Sequence, residues 1–412
     1  MIRWLSTASL LCFSLNVLAD TDAILSDLSL VDDGFSDDSF STLNEYGDVF
    51  DDIPVVVTPS KIAQPRVDVS SSLSVLDGDF IRRINMQYVE DLLQFVPGFS
   101  VVPYYSSSQK EASYHGTELD KYRRIQVLVN GRSVYSAGLA RVEWTSLPLS
   151  IEDIARVEVN RGPNASSYGI NSFFAVVNII TRSPLETLGD SITAYSSSRG
   201  DYRLYGQHSG INNDWSYRAS ASTNSISGFD ESSDGSERHD GHGATMGNVF
   251  LQKETATSFF DLDIGASRLE ANIEPENSYG DAGTYDTNKP VKTTEREHIK
   301  FGYTKQTSAS HELKLQYYYD QFESNEQHDV ILSSAFYTGV FGGSSTKSVN
   351  RSYDIDLLEK RQDIELQSTW EATEKLRLIS AIGYRYDEAE SEHYLSGAGD
   401  DEISRMSSNM EY

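Results

Sequence analysis

The sequence has 412 residues, with 62 acidic against 34 basic side chains and a formal net charge of −28 at pH 7. A chain of this length holds about two domains. A polyanion of this kind repels nucleic acid and anionic lipid headgroups, so neither is expected as a partner, and a solvated acidic surface is the simplest explanation of the charge.

Residues 1–19 have the pattern of a secretory signal peptide. Arg3 supplies the positive start, Leu10–Leu18 contains most of the apolar stretch, and Ala19 ends a small-residue cleavage site. The single cysteine, Cys12, lies in this segment. We therefore predict export with cleavage after Ala19, and a mature chain without disulfides, Cys-ligated metals or thiol chemistry.

Residues 20–52 are rich in Asp and Ser and contain neither Lys nor Arg. Such a segment buries too little apolar surface to offset its ordering entropy, which predicts a disordered acidic linker. The next region, residues 59–184, has mixed α/β character. It contains helical patterns that begin at Asp77 and around Val89, an Asn130-Gly131 hairpin turn, and strands over Ile125–Val129, Arg156–Asn160 and Ala175–Thr181.

From about Thr187 onward the apolar residues recur at every second position. Leu313, Leu315 and Tyr317, for example, alternate with Lys314 and Gln316. Short connections alternate with long polar ones, which are expected near 226–241, 269–295 and 324–360. This asymmetry favours an antiparallel transmembrane β-barrel over residues 185–412. A soluble β-sandwich also alternates, but it rarely separates short from long loops in this way.

Several motifs in this order resemble those of TonB-dependent outer-membrane receptors. They are IPVVVT at 53–58, DLLQFVPG at 91–98, VLVNG at 127–131, IARVEVNRGP at 154–163, SYG at 167–169 and VNIIT at 177–181. The resemblance implies a plug domain followed by barrel strands. It also implies a location in the outer membrane of a Gram-negative bacterium, in contact with outer-membrane lipid.

The first motif resembles a TonB box, which implies that Ile53, Pro54, Val55, Val56, Val57 and Thr58 bind periplasmic TonB with its ExbB–ExbD motor. A β-branched segment after a disordered linker suits strand pairing with a partner sheet, and Pro54, which lacks an N–H donor, suits an unpaired edge. The alternative is that these residues form the first strand of the plug.

Ligand contact is expected from the outward loops of the plug, where aromatic and Arg side chains bind organic ligands by stacking and bidentate hydrogen bonds. The candidates are Tyr104, Tyr105, Gln109, Tyr135 and Arg141. Packing or contact with the barrel wall is an equal alternative for them. The pair His239 and His242 lies in a Gly/Asp-rich segment without a helix to aim both at one ion, so no metal site and no cofactor is expected. No catalytic constellation is present either, which argues against an enzyme.

The expected function is therefore energised uptake of a scarce nutrient chelate of the siderophore-iron, haem or cobalamin type. A binding-only surface receptor or adhesin and a non-functional truncated product are the alternatives. About nine strand candidates lie between Thr187 and Glu388, whereas a barrel that encloses a plug of about 130 residues needs roughly twenty-two strands. We therefore expect an incomplete barrel, with an open sheet partly wrapped around a complete plug.

Overall fold

The structure is a computed structural model. It describes residues 55–58, 61, 64–65, 71–103, 110–116, 124–169, 171–228, 240–273, 283–285, 291–334, 349–373, 376–396 and 404–411. The predicted signal peptide, the predicted linker, Ile53, Pro54, His239 and the ligand candidates Tyr104, Tyr105 and Gln109 lie outside the described residues.

The first part of the structure, residues 55–187, is called the plug here. Its strands are β1 (Val55–Val56), β2 (Gln64–Pro65), β3 (Ser72–Asp77), β4 (Phe99–Pro103), β5 (Lys110–Tyr114), β6 (Ile125–Val129), β7 (Arg132–Ser133), β8 (Ile154–Arg161) and β9 (Ala175–Thr181). The helices are α1 (Gly78–Ile84) and α2 (Ala165–Tyr168), with 3₁₀ turns at Glu90–Phe95, Trp144–Ser146, Ile151–Asp153 and Pro184–Thr187. None of the helices in the described residues is long and apolar enough to cross a membrane.

A five-stranded sheet in the order β3-β8-β9-β6-β7 forms the centre of the plug, with β6 and β9 parallel and the other pairs antiparallel. Two of its inner strands, β6 and β9, are mostly apolar because both faces are covered. Val127, Val159 and Val177 are at most 1% exposed, and the 3₁₀ turn at Glu90–Phe95 packs Leu92 and Leu93 against the same core. Strand β3 lies at one edge of this sheet and is the first of its strands in the sequence.

Several local predictions for the plug are confirmed. The side chain of Asp77 accepts a hydrogen bond from Phe80 N at 2.7 Å and caps α1. Asn130 and Gly131 both have positive φ, at 50° and 82°, as a tight hairpin turn requires. The second helix is corrected to a 3₁₀ turn over Glu90–Phe95. A turn of six residues that ends at Phe95, two positions before Pro97, leaves little room for α-helical hydrogen bonds.

The second part of the structure is an 11-stranded antiparallel sheet, called the wall here. Its strands are β10 (Gly189–Ser196), β11 (Tyr202–Asn212), β12 (Trp215–Ile226), β13 (His242–Thr255), β14 (Ser258–Asn272), β15 (Gly283–Tyr285), β16 (Val291–Ser308), β17 (His311–Leu332), β18 (Val349–Thr373), β19 (Leu376–Ser396) and β20 (Ser404–Glu411). Neighbours in sequence pair in order, except that β15 pairs with β17. In the described part of the chain β10 and β20 are not paired with each other, so the sheet is open, as expected.

The connections at one end of the wall are tight turns at 213–214, 256–257 and 309–310, in agreement with the expected alternation of short and long connections. The long loops at the other end are shorter than predicted, because β17 continues to Leu332 and β18 begins at Val349 within the expected loop 324–360. Likewise, β14 extends to Asn272 and β16 begins at Val291. Beyond Tyr319 the outward side chains become polar, so the apolar alternation stops while the hydrogen-bonded ladder goes on.

Candidate functional site: the docked N-terminal segment and the plug–wall interface

The segment predicted to be a TonB box is docked on the plug. Val55 and Val56 pair with Pro65 and Gln64 as β1 and β2. Val56 and Thr58 are each 0% exposed. The described part of the segment is therefore a paired, buried strand in this structure, and its capture by a partner strand requires its release.

One buried carboxylate holds the end of this segment. Glu158 Oε2 accepts hydrogen bonds from Val57 N at 3.0 Å, Thr58 N at 2.8 Å and Thr58 Oγ1 at 2.6 Å. Its other oxygen accepts from Arg156 Nε at 2.8 Å, and Tyr168 Oη donates to Thr58 O at 2.8 Å. Such charge-assisted bonds are about twice as strong as neutral ones. Glu158 lies on β8, an interior strand of the plug sheet, so the segment is tied to the core sheet of the plug.

A second tie joins the segment to the wall. Lys61 Nζ lies 2.7 Å from Glu365 Oε2 on β18. Both side chains are partly exposed, at 25% and 30%, so solvent screens this ion pair. The docked segment therefore contacts the plug through a buried carboxylate and the wall through an accessible ion pair.

The inward face of the wall carries charged side chains that bind the plug. Arg132, next to the Asn130-Gly131 turn, pairs with Asp320 on β17, and both are buried. Arg296 on β16 also pairs with Asp320 at 2.8 Å and donates to Val134 O at 3.1 Å. Asp320 thus balances two buried guanidinium groups, one from the plug and one from the wall.

The plug loop that follows β7 is held mainly through its backbone. Arg361 Nη1 donates to Tyr135 O at 2.8 Å. Glu359 Oε1 accepts from Ser136 Oγ at 2.5 Å and from Gly138 N at 3.0 Å. Both wall residues lie on β18. The structure therefore places Tyr135, a ligand candidate, at a plug–wall contact where it is 8% exposed.

The other described candidate, Arg141, is engaged in ion pairs inside the plug. Its Nε lies 2.5 Å from Glu143 Oε1 and its Nη1 lies 3.9 Å from Glu111 Oε1. Burial alone raises the pKa of Glu143, but Lys292 and Arg141 beside it bring that pKa down to about 2. Burial raises the pKa of Glu111 to about 7, against the opposing charge of Arg141. Arg141 is thus part of a buried charge cluster that reaches Lys292 on the wall.

Another anchor joins the plug to β11 and β12 of the wall. Asp153 accepts hydrogen bonds from Tyr205 Oη at 2.8 Å and Ser220 Oγ at 2.9 Å, and Arg218 Nε is 3.5 Å away. Burial raises the pKa of Asp153 despite these partners. The wall therefore holds the plug at several separate polar points.

Glu90, at the start of the 3₁₀ turn, is a buried acid that the sequence did not single out. It is 1% exposed, and its Oε1 has no hydrogen-bond partner among the described residues. Its neighbour Asp91 is paired with Lys110 Nζ at 2.7 Å. Burial raises the pKa of Glu90 to about 8, so its carboxyl is mostly protonated at neutral pH.

Sequence reasoning did not identify the wall partners of the plug: Asp320, Arg296, Glu359 and Arg361. The one available signal was that charged residues stand at the positions of β16 to β18 that alternate with outward apolar ones. Within the described residues, no group of three or more His, Cys, Asp or Glu side chains has a geometry that holds a metal ion.

Comparison with known proteins gives a consistent result. Residues 65–176 match the family of the TonB-dependent receptor plug domain. The vitamin B12 transporter BtuB of Photobacterium profundum is 32% identical over 157 residues, which cover 38% of this chain and 25% of that protein. The chain thus spans about a quarter of the length of this relative.

Two solved structures share the fold at low sequence identity. FpvA of P. aeruginosa, bound to a pyoverdine–iron complex, aligns with a TM-score of 0.62 and 14% identity, over 85% of this chain and 46% of that one. The copper transporter OprC aligns with a TM-score of 0.59 and 14% identity, over 81% of this chain and 50% of that one. Both the plug and the wall therefore have counterparts in solved receptors, and the chain spans about half the length of each.

Proposed function

The chain belongs to the TonB-dependent receptors, and from that premise we propose that it serves the energised uptake of a scarce nutrient chelate across the outer membrane of a Gram-negative bacterium. In this proposal TonB, driven by ExbB–ExbD, captures residues 53–58 and pulls on the plug. The chelate is of the siderophore-iron, haem or cobalamin type.

The observation that carries the proposal is the way in which Val55–Thr58 is docked. The β1–β2 hairpin has only two residues in each strand, and short isolated hairpins are marginally stable. Its main additional support is one carboxylate, Glu158. A partner that offers a longer strand edge competes well with such a hairpin. A binding-only receptor has no need for a segment that is bound and yet replaceable.

The plug–wall interface supports the same conclusion. Most of the contacts described above are hydrogen bonds and ion pairs, such as Arg132–Asp320 and Glu359 with Ser136, and a ring contact joins Tyr88 to His242. When a polar interface of this kind opens, water can replace the lost partners, whereas an apolar interface exposes surface that water does not solvate well. The plug is thus bound specifically, and it can still be displaced when TonB pulls on it.

Among the ligand types, cobalamin is the first to test, because the similar curated proteins carry the description vitamin B12 transporter. We propose ligand contact at Tyr104, Tyr105 and Gln109 and, after movement of their loop, at Tyr135 and Arg141. The buried positions of the last two make such movement necessary.

The test is uptake of radiolabelled cyanocobalamin, and of a panel of ferric siderophores and haem, by cells that express the full-length receptor. Matched cells with and without TonB are compared. We expect accumulation of one ligand in the TonB-positive cells only, and surface binding of that ligand in both. Equal accumulation in the two strains, or binding without accumulation in either, would refute energised uptake and favour the binding-only receptor.

A further inference from the structure

A cavity of about 460 Å³ lies between the plug and the wall. Its plug side is formed by β6, β8 and β9, and its wall side by β17, β18 and β19. Val57 and Lys61 of the docked N-terminal segment also line it. Lys314 and Gln367, which lie close to the tight-turn end of β17 and β18, place the cavity toward the periplasmic side of the sheet.

The charge of this cavity is opposite to that of the protein. Four basic residues line it, Lys61, Arg156, Lys314 and Arg385, against two acidic ones, Asp363 and Glu365. Each acidic side chain already has a basic partner: Glu365 lies 2.7 Å from Lys61, and Asp363 lies 2.8 Å from Arg385. A chain with a net charge of −28 thus encloses a locally cationic site.

Of the four basic residues that line the cavity, Lys314 is the one without an ion-pair partner among the described residues. Its side chain points inward from β17, and its Nζ forms no hydrogen bond or ion pair with any described residue. Lys314 is half-buried, and three carboxylates lie in its neighbourhood. Glu365 and Asp261 are held by Lys61 and Lys300, and Glu312, two residues before Lys314 on β17, forms no ion pair with it. Removing an ammonium group from bulk water without a fixed partner is unfavourable, so this charge is best explained by an anionic occupant.

Two further polar atoms in the cavity wall lack partners. Tyr318 Oη and Asn178 Oδ1 are buried and accept or donate no hydrogen bond within the described part of the chain. Their residues are 1% and 5% exposed, and both line the cavity. The Lys314 ammonium and the Tyr318 hydroxyl can donate hydrogen bonds to an oxyanion. Asn178 Oδ1 can accept a hydrogen bond from an adjacent hydroxyl group.

We propose that this cavity is an anion-binding transit site, in which Lys314 and Tyr318 donate to a carboxylate or phosphate group of the transported ligand after it has passed the plug, and Asn178 Oδ1 accepts from an adjacent hydroxyl group of the same ligand. This inference rests on the proposed uptake function and specifies its substrate class: a ligand with an exposed anionic group. Because Val57 and Lys61 form part of the cavity wall, release of the N-terminal segment opens the site on its periplasmic side.

The test is equilibrium dialysis of the purified full-length receptor in detergent against ¹⁴C-citrate, ³³P-phosphate and, as a neutral probe, ¹⁴C-mannitol. We expect the wild type to bind at least one of the anions and not mannitol. Lys314→Gln should weaken that binding about tenfold to a hundredfold, the loss expected for a charge-assisted hydrogen bond. Tyr318→Phe, which keeps the shape of the side chain, should weaken it severalfold.

The matched control is Lys253→Gln, which removes the same charge from a lysine that lies outside the cavity and pairs with Asp214; it should leave anion binding unchanged. Citrate binding alone assigns a carboxylate ligand, and phosphate binding alone assigns a phosphate ligand. Equal anion binding by the wild type and both cavity variants, or no anion binding by the wild type, would overturn the proposal. Dialysis requires no TonB. A failure of anion binding can therefore be distinguished from a failure of TonB-dependent uptake.

Discussion

Glu158 on the central sheet of the plug binds Thr58 through both the backbone N–H, at 2.8 Å, and the side-chain hydroxyl, at 2.6 Å. The two residues are 100 positions apart in sequence, and both are 0% exposed. A carboxylate that is removed from water needs such donors, and a backbone N–H that is removed from water needs such an acceptor. Docking of the N-terminal segment is thus coupled to the burial of a charge.

Glu158→Gln should shift the segment toward its released state. The amide can present only one acceptor oxygen, without charge, so hydrogen bonds to a charged group worth about 1.5–3 kcal/mol each are weakened. We expect a cysteine placed at Val56 to react with a water-soluble maleimide about ten to a hundred times faster in this variant. Glu254→Gln, an exposed position on β13, is the control and should not change the rate. Equal rates in all three proteins would mean that Glu158 does not hold the segment.

Val56→Pro should abolish uptake while surface binding of the ligand persists. Proline removes a backbone donor and restricts the residue before it, which damages strand pairing with any partner. Because Val56 is buried in β1, the substitution should also loosen the docked hairpin. The measurement is uptake and surface binding of the same labelled ligand in cells that express the full-length receptor. Normal uptake by the variant would exclude strand pairing at this residue.

Asp320→Asn should destabilise the plug more than Arg132→Gln does. The first change leaves two buried guanidinium groups without a carboxylate, whereas the second leaves Asp320 paired with Arg296. Loss of one partner of a buried ion pair costs about 3–5 kcal/mol. The urea midpoint, followed by tryptophan fluorescence that includes the buried Trp144, should fall in the order wild type, Arg132→Gln, Asp320→Asn. The reverse order would contradict this prediction, because it would show that Arg296 can lose Asp320 at little cost in stability.

Glu90→Gln should make the stability of the plug less dependent on pH. Burial raises the pKa of Glu90 from 4.5 to about 8, so between these values the folded plug binds a proton that the unfolded chain has released. The free energy of unfolding therefore falls as pH rises through this window, by at most about 1.4 kcal/mol per pH unit from this group. Above pH 8 this contribution becomes constant.

The measurement is the urea midpoint of the wild type and of Glu90→Gln at pH 5, 6, 7 and 8. Asp91, Lys110, Glu111 and Tyr88 surround the site and remain in both proteins, so the difference between the two curves isolates Glu90. We expect the variant to gain stability relative to the wild type as pH rises. A difference that stays constant from pH 5 to 8 would show that Glu90 titrates in the ordinary range.

The sequence predicted those elements whose cause is local. The Asn130-Gly131 turn, the Asp77 cap and the strand Ala175–Thr181 each depend on neighbouring residues, and all three were confirmed. The predicted loop 324–360 was wrong because strand ends were inferred from the end of the apolar alternation. Beyond Tyr319 the outward positions of β17 are polar, and its backbone pairing with β18 continues without the apolar signal.

The candidate site was less predictable because its contacts are distant in sequence. Arg132 and Asp320 are 188 positions apart, and Ser136 and Glu359 are 223 apart. No periodicity links such residues; only the register of β16 to β18 brings them to the plug. The motif at 53–58 indicated where a partner strand would bind, but not that Glu158 would hold this segment inside the plug.

The length of the wall strands has a consequence for the proposed position of the chain in the outer membrane. On β19 the outward apolar side chains run from Leu376 to Tyr386, and Glu388 and Glu390 follow. This band rises about 26 Å, which matches the apolar belt of an outer-membrane barrel. With 22 residues, β17 rises about 57 Å. In the proposed outer-membrane location, β17 therefore extends roughly 30 Å beyond the apolar band as a polar, hydrogen-bonded strand.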